Sequence, residues 1–197
     1  MTCIALTFDD GPSPETTPEL LDTLEREKAT ATMFLMGGPA RDNPDLVRRE
    51  QAMGLEIGNH TMTHPTLSNE SDATVRRELE QTQQILTGIT GQTPHLMRPP
   101  YAARTKRTDA VSRELGLSVI TWHDSPQDWV NHDAATVARL TVSKARPGEV
   151  VLMHDPHQWT VDAVAKIIPQ LREQGYVFVT VTQLLGPTNP GEVYPQS

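Results

Sequence analysis

Seven short apolar runs recur along this chain, each separated from the next by a stretch patterned for a helix. The runs are Ile4 to Phe8, Thr32 to Leu35, Glu56 to Asn59, His95 to Arg98, Ser118 to Thr121, Val150 to Met153 and Tyr176 to Val179. They are rich in β-branched or large apolar residues and bounded by Gly, Pro, Asp or Asn, as buried strands are. Between them, Pro18 to Glu27 follows Thr17 as an N-cap and places Leu20, Leu21 and Leu24 on one face. Pro44 to Met53 opens at Asn43 and stops at Gly54. Asp72 to Thr87 carries a stripe of Val75, Leu79, Thr82 and Leu86 and is expected to end at Gly88. Asp109 to Leu115, Ala134 to Ala145 and Val161 to Gln174 complete the set.

Strands alternating with helices imply a parallel sheet with the helices outside it. The first strand–helix turn has no dinucleotide glycine fingerprint, which removes the usual reason to prefer an open sheet. The repeats therefore predict an α/β fold, a distorted, incomplete (β/α)7–8 barrel of parallel strands. It is expected to occupy residues 1–185 as one catalytic-sized domain. Gly186 to Ser197, rich in Pro, Gly and Asn, is expected to be a loose tail or linker stub.

Composition narrows the classes. With 17 Lys and Arg against 25 Asp and Glu, the net charge of −8 argues against a nucleic-acid binder. No apolar stretch approaches the roughly 18 residues of a membrane span. The start has no basic segment followed by an apolar one, so a secretory leader would have to precede this stretch. The single Cys3 excludes an internal disulfide framework and a Cys-rich zinc site, and is expected to be a small buried hydrophobe. Any metal must be held by histidine and carboxylate.

Parallel barrels deliver functional side chains at the C-terminal ends of their strands, on one rim. Here strand one ends in Asp9-Asp10, strand three at His60 with His64 four residues on, and strand four in Arg98-Pro99-Pro100-Tyr101. Strand five is followed by Asp124 and then Asp128-Trp129, and strand six ends in His154-Asp155. Each has a bland reading on its own: a turn, a chance i, i+4 pair, a rigid proline loop, a capped core histidine. All of them converging on one rim by accident is a far poorer explanation than a site.

In this order, the segments resemble the polysaccharide deacetylase family with the NodB homology domain, also called carbohydrate esterase family four. The resemblance runs from about Cys3 to Leu185. It rests on Thr7 through Pro12, His60 through Pro65, Arg98 through Tyr101, Asp124 through Trp129, and Leu152 through Asp155. Two departures stand out. Ala102-Ala103 follows Tyr101 where the family usually continues with glycine, and Ser125-Pro126-Gln127 separates the two aspartates of the fourth motif.

The resemblance implies a metal-dependent enzyme that removes N-acetyl groups from polymers or oligomers containing N-acetylglucosamine, such as chitin or peptidoglycan. Acetylxylan esterase is the second reading and a non-catalytic carbohydrate-binding module a remote third; the latter is disfavoured by only three each of Phe, Tyr and Trp. By the same resemblance, one divalent ion, zinc before cobalt or nickel, is held by Asp10, His60 and His64. Asp9 is the general base and Arg98 pairs with it. His154 is the general acid, and Asp128 pairs with His154 to raise its pKa. The Tyr101 backbone N–H shares the oxyanion with the metal, and Leu152 and Trp129 wall a slot for the acetyl methyl. Trp159, five residues past His154, reads either as a sugar platform, because a tryptophan face stacks well on sugar rings, or as a packing residue capping the barrel against the helix that starts near Val161. His95, His123, His132 and His157 are expected as surface or loop residues. The expected setting is a monomer outside the cell or in the wall, with the cytoplasm as the alternative.

Overall fold

The computed structural model describes residues 2–195. Its elements are β1 (Thr2–Asp9), α1 (Thr17–Arg26), β2 (Thr32–Leu35), α2 (Gly37–Asp42), α3 (Pro44–Ala52), β3 (Glu56–Asn59), α4 (Asp72–Thr90), β4 (Leu96–Met97), α5 (Lys106–Glu114), β5 (Ser118–Ile120), α6 (Ala134–Lys144), β6 (Val150–His154), α7 (Gln158–Glu173), β7 (Tyr176–Phe178), α8 (Val181–Leu185) and β8 (Val193–Tyr194).

The sheet runs β6-β1-β2-β3-β4-β5-β8, with β7 against the first half of β1, and every pairing is parallel. It curls until the residues after β5 reach β6. Asp124 bridges Val151, His123 N–H donates to the Val150 carbonyl, and Leu152 N–H donates to the Asp124 carbonyl. The expected incomplete parallel barrel is therefore what forms, closed by loop backbone along one short seam.

Period-two alternation on β1 separates two apolar layers. Ile4, Leu6 and Phe8 face outward and join Leu20, Leu21 and Leu24 of α1 and Val161, Val164, Ile167 and Ile168 of α7 in the main core. Ala5 faces inward and meets Phe34, Leu96, Ile120, Val150 and Val181 in a small plug inside the barrel. Thr7 and Asp9 share that inward face, and register places Asp9 opposite both Phe34 and His154. Charged rim residues thus stand directly above a shallow apolar plug.

The structure departs from the sequence reading at several boundaries. α4 runs through Gly88 to Thr90 and is capped by Gly91 at φ 72°; one interior glycine costs only about 1 kcal/mol against alanine, which the packing of Leu79 and Leu86 outweighs. α5 and α7 each begin three residues earlier than expected, at Lys106 and Gln158. α2 and α8 were not anticipated. Nor does the chain after Gly186 hang free over its described part. Glu192 and Tyr194 accept from Val119 N–H and Thr121 N–H, so β8 covers what would be a bare strand edge on β5.

One buried charge site lies outside the rim. Glu50 of α3 is fully buried, and neither carboxyl oxygen finds a partner among the described residues. Burial, with a smaller contribution from Asp155, pushes its pKa well above the usual carboxylate range. The unfolded chain therefore releases this proton first, and stability falls as pH rises past about 4.3. Glu50→Gln removes the effect. The variant should match the wild type near pH 4 and become more stable above it, by up to about 1.4 kcal/mol per pH unit until the folded-state pKa is reached. Urea melts at pH 4, 6 and 8 measure this, and a constant gap between the two proteins would show that Glu50 titrates normally.

Candidate active site

The site is assembled around Arg98, which lies just past β4 and is completely buried. Its Nη1 donates to Asp9 Oδ1 and Thr7 Oγ1, both at 2.7 Å, and its Nη2 donates to the Thr121 carbonyl at 3.0 Å. The guanidinium carbon sits 4.1 Å over the Phe34 ring. Burial lowers the Arg98 pKa, while the Asp9 charge and hydrogen bond work the other way. Arg98 thus fixes one oxygen of Asp9 and leaves Oδ2 turned towards His60 Nε2, 3.6 Å away.

The next residue breaks out of the strand. Asp10 has φ 75°, a left-handed turn that aims its carboxylate across the rim rather than along β1. Its Oδ1 lies 3.2 Å from both His60 Nε2 and His64 Nε2, and the three ligand atoms fall within 4.8 Å of one another. Burial opposes ionisation of Asp10, whereas hydrogen bonding and positive charge from the two imidazoles, when those rings are protonated, lower its pKa far below the carboxylate range. On the far side of its ring, His60 Nδ1 is 2.7 Å from the Arg98 carbonyl. A carbonyl only accepts, so Nδ1 carries a proton, and a ring with that proton alone presents a bare lone pair at Nε2. That lone pair faces Asp10 Oδ1, itself buried and without a hydrogen-bond partner. Acceptor against acceptor is repulsive unless a cation lies between them. A histidine that donates its other ring N–H to a carbonyl is the usual arrangement of a metal ligand. The residues present fit a divalent ion.

The loop carrying both histidines is held from below by residues the motif reading did not single out. Asn59 accepts from Thr61 N–H and donates to the Leu79 carbonyl. Glu78 of α4 accepts from the Met62 and Thr63 N–H groups and from the Thr63 hydroxyl. Seven non-glycine residues have positive φ among those described, and six of them (Asp10, Thr61, His64, Tyr101, Ala102 and Gln127) lie in these rim loops. Such conformations persist only where surrounding bonds over-determine them. Ala102, at φ 53°, occupies the position where glycine was the expectation.

Across the rim, His154 Nδ1 is 2.8 Å from Asp128 Oδ1. Asp128 is buried, and its Oδ2 accepts from His154 N–H and from the Thr160 hydroxyl, both at 2.7 Å. Burial alone would depress the His154 pKa; the hydrogen bond and charge of Asp128, with Asp9 and Asp10 behind it, reverse this and raise it. Asp155, next along, donates its N–H to the Asp9 carbonyl and accepts from the Thr17 hydroxyl. Its own pKa is pushed up to about 7 by burial. Its carboxyl fills the space beside Gly11, where a Cβ would lie 2.1 Å from Oδ2.

These groups border one cleft of about 590 Å³. Asp9, Asp10, His60, His64, Tyr101, Trp129, Leu152 and His154 line it, with Arg98 and Asp128 directly behind. Tyr101 is 69% exposed with its ring edge-on to His64; Trp129 is 43% exposed and edge-on to His154. Trp159 does not line the cleft. Its indole is stacked on the His157 ring at 4.7 Å and meets the tilted His132 ring at 4.5 Å, and its Nε1 donates to the Asp128 carbonyl. Packed against both rings and hydrogen-bonded to Asp128, it braces the Asp128 loop, which is the packing reading of this residue. Pro99, Trp122 and His157 do line the cleft and were not anticipated as site residues. Position past a strand end was the available signal for all three.

Because Arg98 is, among the described residues, the one arginine or lysine paired with the Asp9 carboxylate, its loss leaves a buried charge without that partner. Arg98→Met should destabilise the fold by about 3–5 kcal/mol. Adding Asp9→Asn should restore part of that loss, because no charge then remains to solvate. Chemical denaturation of both variants tests this, and additive losses would show that the pair is not coupled.

Comparison with known proteins agrees with this geometry. A family model described as polysaccharide deacetylase matches residues 1–120. The peptidoglycan-N-acetylglucosamine deacetylase PgdA of Listeria monocytogenes is 41% identical over 183 residues, covering 93% of this chain. The chain spans 39% of that relative's length. A peptidoglycan-N-acetylglucosamine deacetylase of Bacillus cereus is 40% identical over 187 residues, covering 92% of this chain and 87% of the relative. Among solved structures, the T48 deacetylase with substrate superposes with a TM-score of 0.93 at 33% identity, covering 98% of this chain and 96% of that one. With its sequence, its barrel and its rim residues all pointing the same way, the chain belongs to the polysaccharide deacetylase family.

Proposed function

We propose that this protein hydrolyses the N-acetyl groups of N-acetylglucosamine units in a cell-wall or chitin-like glycan, releasing acetate and a free amine. The observation that carries the reading is the convergence of Asp10 with His60 and His64 beside an Asp9 whose second oxygen is free of Arg98. Two imidazoles and one carboxylate suit zinc, and cobalt or nickel would also be accepted. Such an ion, when bound, lowers the pKa of water towards about 7 and polarises the acyl oxygen.

The remaining work belongs to the chain's own side chains. Asp9 Oδ2 takes the proton of the attacking water, while Oδ1 stays tied to Arg98. His154 Nδ1 is committed to Asp128, which leaves Nε2 to hand a proton to the departing nitrogen. Amines leave poorly unless protonated, so a raised His154 pKa keeps the acid loaded at neutral pH. The Tyr101 backbone N–H serves the oxyanion, and Leu152 with Trp129 walls the acetyl methyl. The peptidoglycan activity of the relatives named above supports the substrate class, and a glycan of that kind places the enzyme outside the cell or in the wall. No helix among the described residues is long and apolar enough to cross a membrane. A monomer suffices, since one chain supplies every group.

Acetate release from N-acetylglucosamine oligomers, peptidoglycan and acetylxylan, assayed side by side, tests the reading. The glycans bearing N-acetyl groups should turn over, chelation should abolish the activity reversibly, and His60→Ala should remove both metal and turnover. Turnover of acetylxylan alone would favour the esterase reading, and full activity in metal-free protein would sink the assignment of Asp10, His60 and His64. Asp9→Asn should keep its metal and lose several orders of magnitude in rate.

The acid role gives a pH prediction with a definite sign. His154 works in its protonated form, so activity falls as pH rises through its pKa. Asp128→Asn removes the group that raises that pKa, and the alkaline limb of kcat should move down by roughly one to three pH units. An unshifted limb would assign that limb to another group.

A further inference from the structure

The rings beside the proposed acid form a continuous row. His154 is followed by His157 at 5.8 Å, His157 stacks on Trp159 at 4.7 Å and 19°, and Trp159 meets His132 at 4.5 Å. His157 is the N-cap residue of α7, so backbone and ring stack together fix where its imidazole sits. It lines the cleft, yet among the described residues no group hydrogen-bonds to either of its ring nitrogens. The other site histidines have assigned places: His60 is bonded to the Arg98 carbonyl and converges with His64 on Asp10 as a ligand set, and His154 is paired with Asp128. A half-buried imidazole that lines the cleft, stacks on Trp159 and has both nitrogens unclaimed among the described residues is poised for a polar ligand. Burial lowers its pKa, with the proximity of His154 and His132 adding to this and Asp128 and Asp10 opposing it, which favours the neutral ring. A neutral imidazole offers one donor and one acceptor, the pair that a sugar hydroxyl uses.

Position identifies the sugar. Among the described residues His157 makes its ring contacts with His154 and Trp159, whereas His60 and His64 contact each other and Tyr101. A glycan with its leaving nitrogen at His154 therefore brings a neighbouring unit to the ring next to that acid. We propose that His157 is a substrate-binding residue that hydrogen-bonds a hydroxyl of the sugar unit adjacent to the one being deacetylated, so that the enzyme favours oligomers over single sugars. The inference rests on the deacetylase reading and adds a binding position to it.

Two variants separate the functions of the ring. His157→Phe keeps an aromatic face against Trp159 and removes both nitrogens; His157→Asn keeps a donor and an acceptor and gives up the stack. Steady-state kinetics on tetra-N-acetylchitotetraose, with turnover by the wild type first establishing the activity itself, read the result. For His157→Phe, KM should rise about tenfold, the equivalent of about 1.4 kcal/mol for one hydrogen bond. Its kcat should move much less, and the alkaline limb set by His154 should stay in place. His157→Asn should recover part of the lost affinity, and melting temperatures of both variants confirm that they fold. An unchanged KM in His157→Phe would overturn the proposal. So would a fall in kcat with a displaced alkaline limb, because His157 would then be acting through His154 instead of on the glycan. Should His157→Phe fail to fold, KM for His157→Asn decides alone: a value above that of His157→Ala overturns the proposal, and one below it supports it.

Discussion

A guanidinium with no access to water organises the upper half of this barrel. Burying Arg98 would be costly by itself. It is tolerated because five contacts absorb it: Asp9, Thr7, two strand-end carbonyls and the face of Phe34. Those partners come from β1, β2 and the end of β5, so satisfying one side chain forces three strands into a common register at the rim. The Arg98 carbonyl then orients His60, and its Nη1 orients Asp9. One residue therefore sets both the metal side and the base side of the site.

The helices act as a second tier of the same device. α4 contributes Glu78 and the Leu79 carbonyl, which hold the histidine loop in left-handed turns it would not adopt alone. α7 contributes Thr160 and Trp159, which clamp Asp128 from its carboxylate and its carbonyl. The histidine loop and Asp128 are thus locked by neighbours from helices packed outside the barrel, and their precision at the rim is inherited from the outer core. This is how short strands, two of them only two residues long, support a rigid site.

What the sequence made legible was whatever local pattern governs. Alternation of apolar runs and helical stripes is local, so the barrel, its strand order along the chain and the clustering of Asp9, Asp10, His60, His64, Arg98 and His154 were readable in advance. What escaped was decided by long-range contact. Gly88 reads as a stop, yet tertiary packing carries α4 past it. Gly186 onwards reads as loose, yet it answers the open edge of β5. Glu78 looks like any surface acid on a helix until the loop 16 residues before it folds onto its carboxylate. Trp159 was placed near the right rim, but which way its faces turn depends on His132 and His157 from separate loops.

The crowding at Gly11 links two positions 144 residues apart. The carboxyl of Asp155 occupies the volume that any side chain at 11 would need, and the same residue holds the Asp9 carbonyl through its N–H. Position 11 thereby loses its mutational freedom to a side chain just past another strand. A side chain at 11 can enter only with a smaller residue at 155, while the N–H of 155 goes on holding the base whatever its side chain. The loop after β1 is thus coupled sterically to the end of β6, in one direction only.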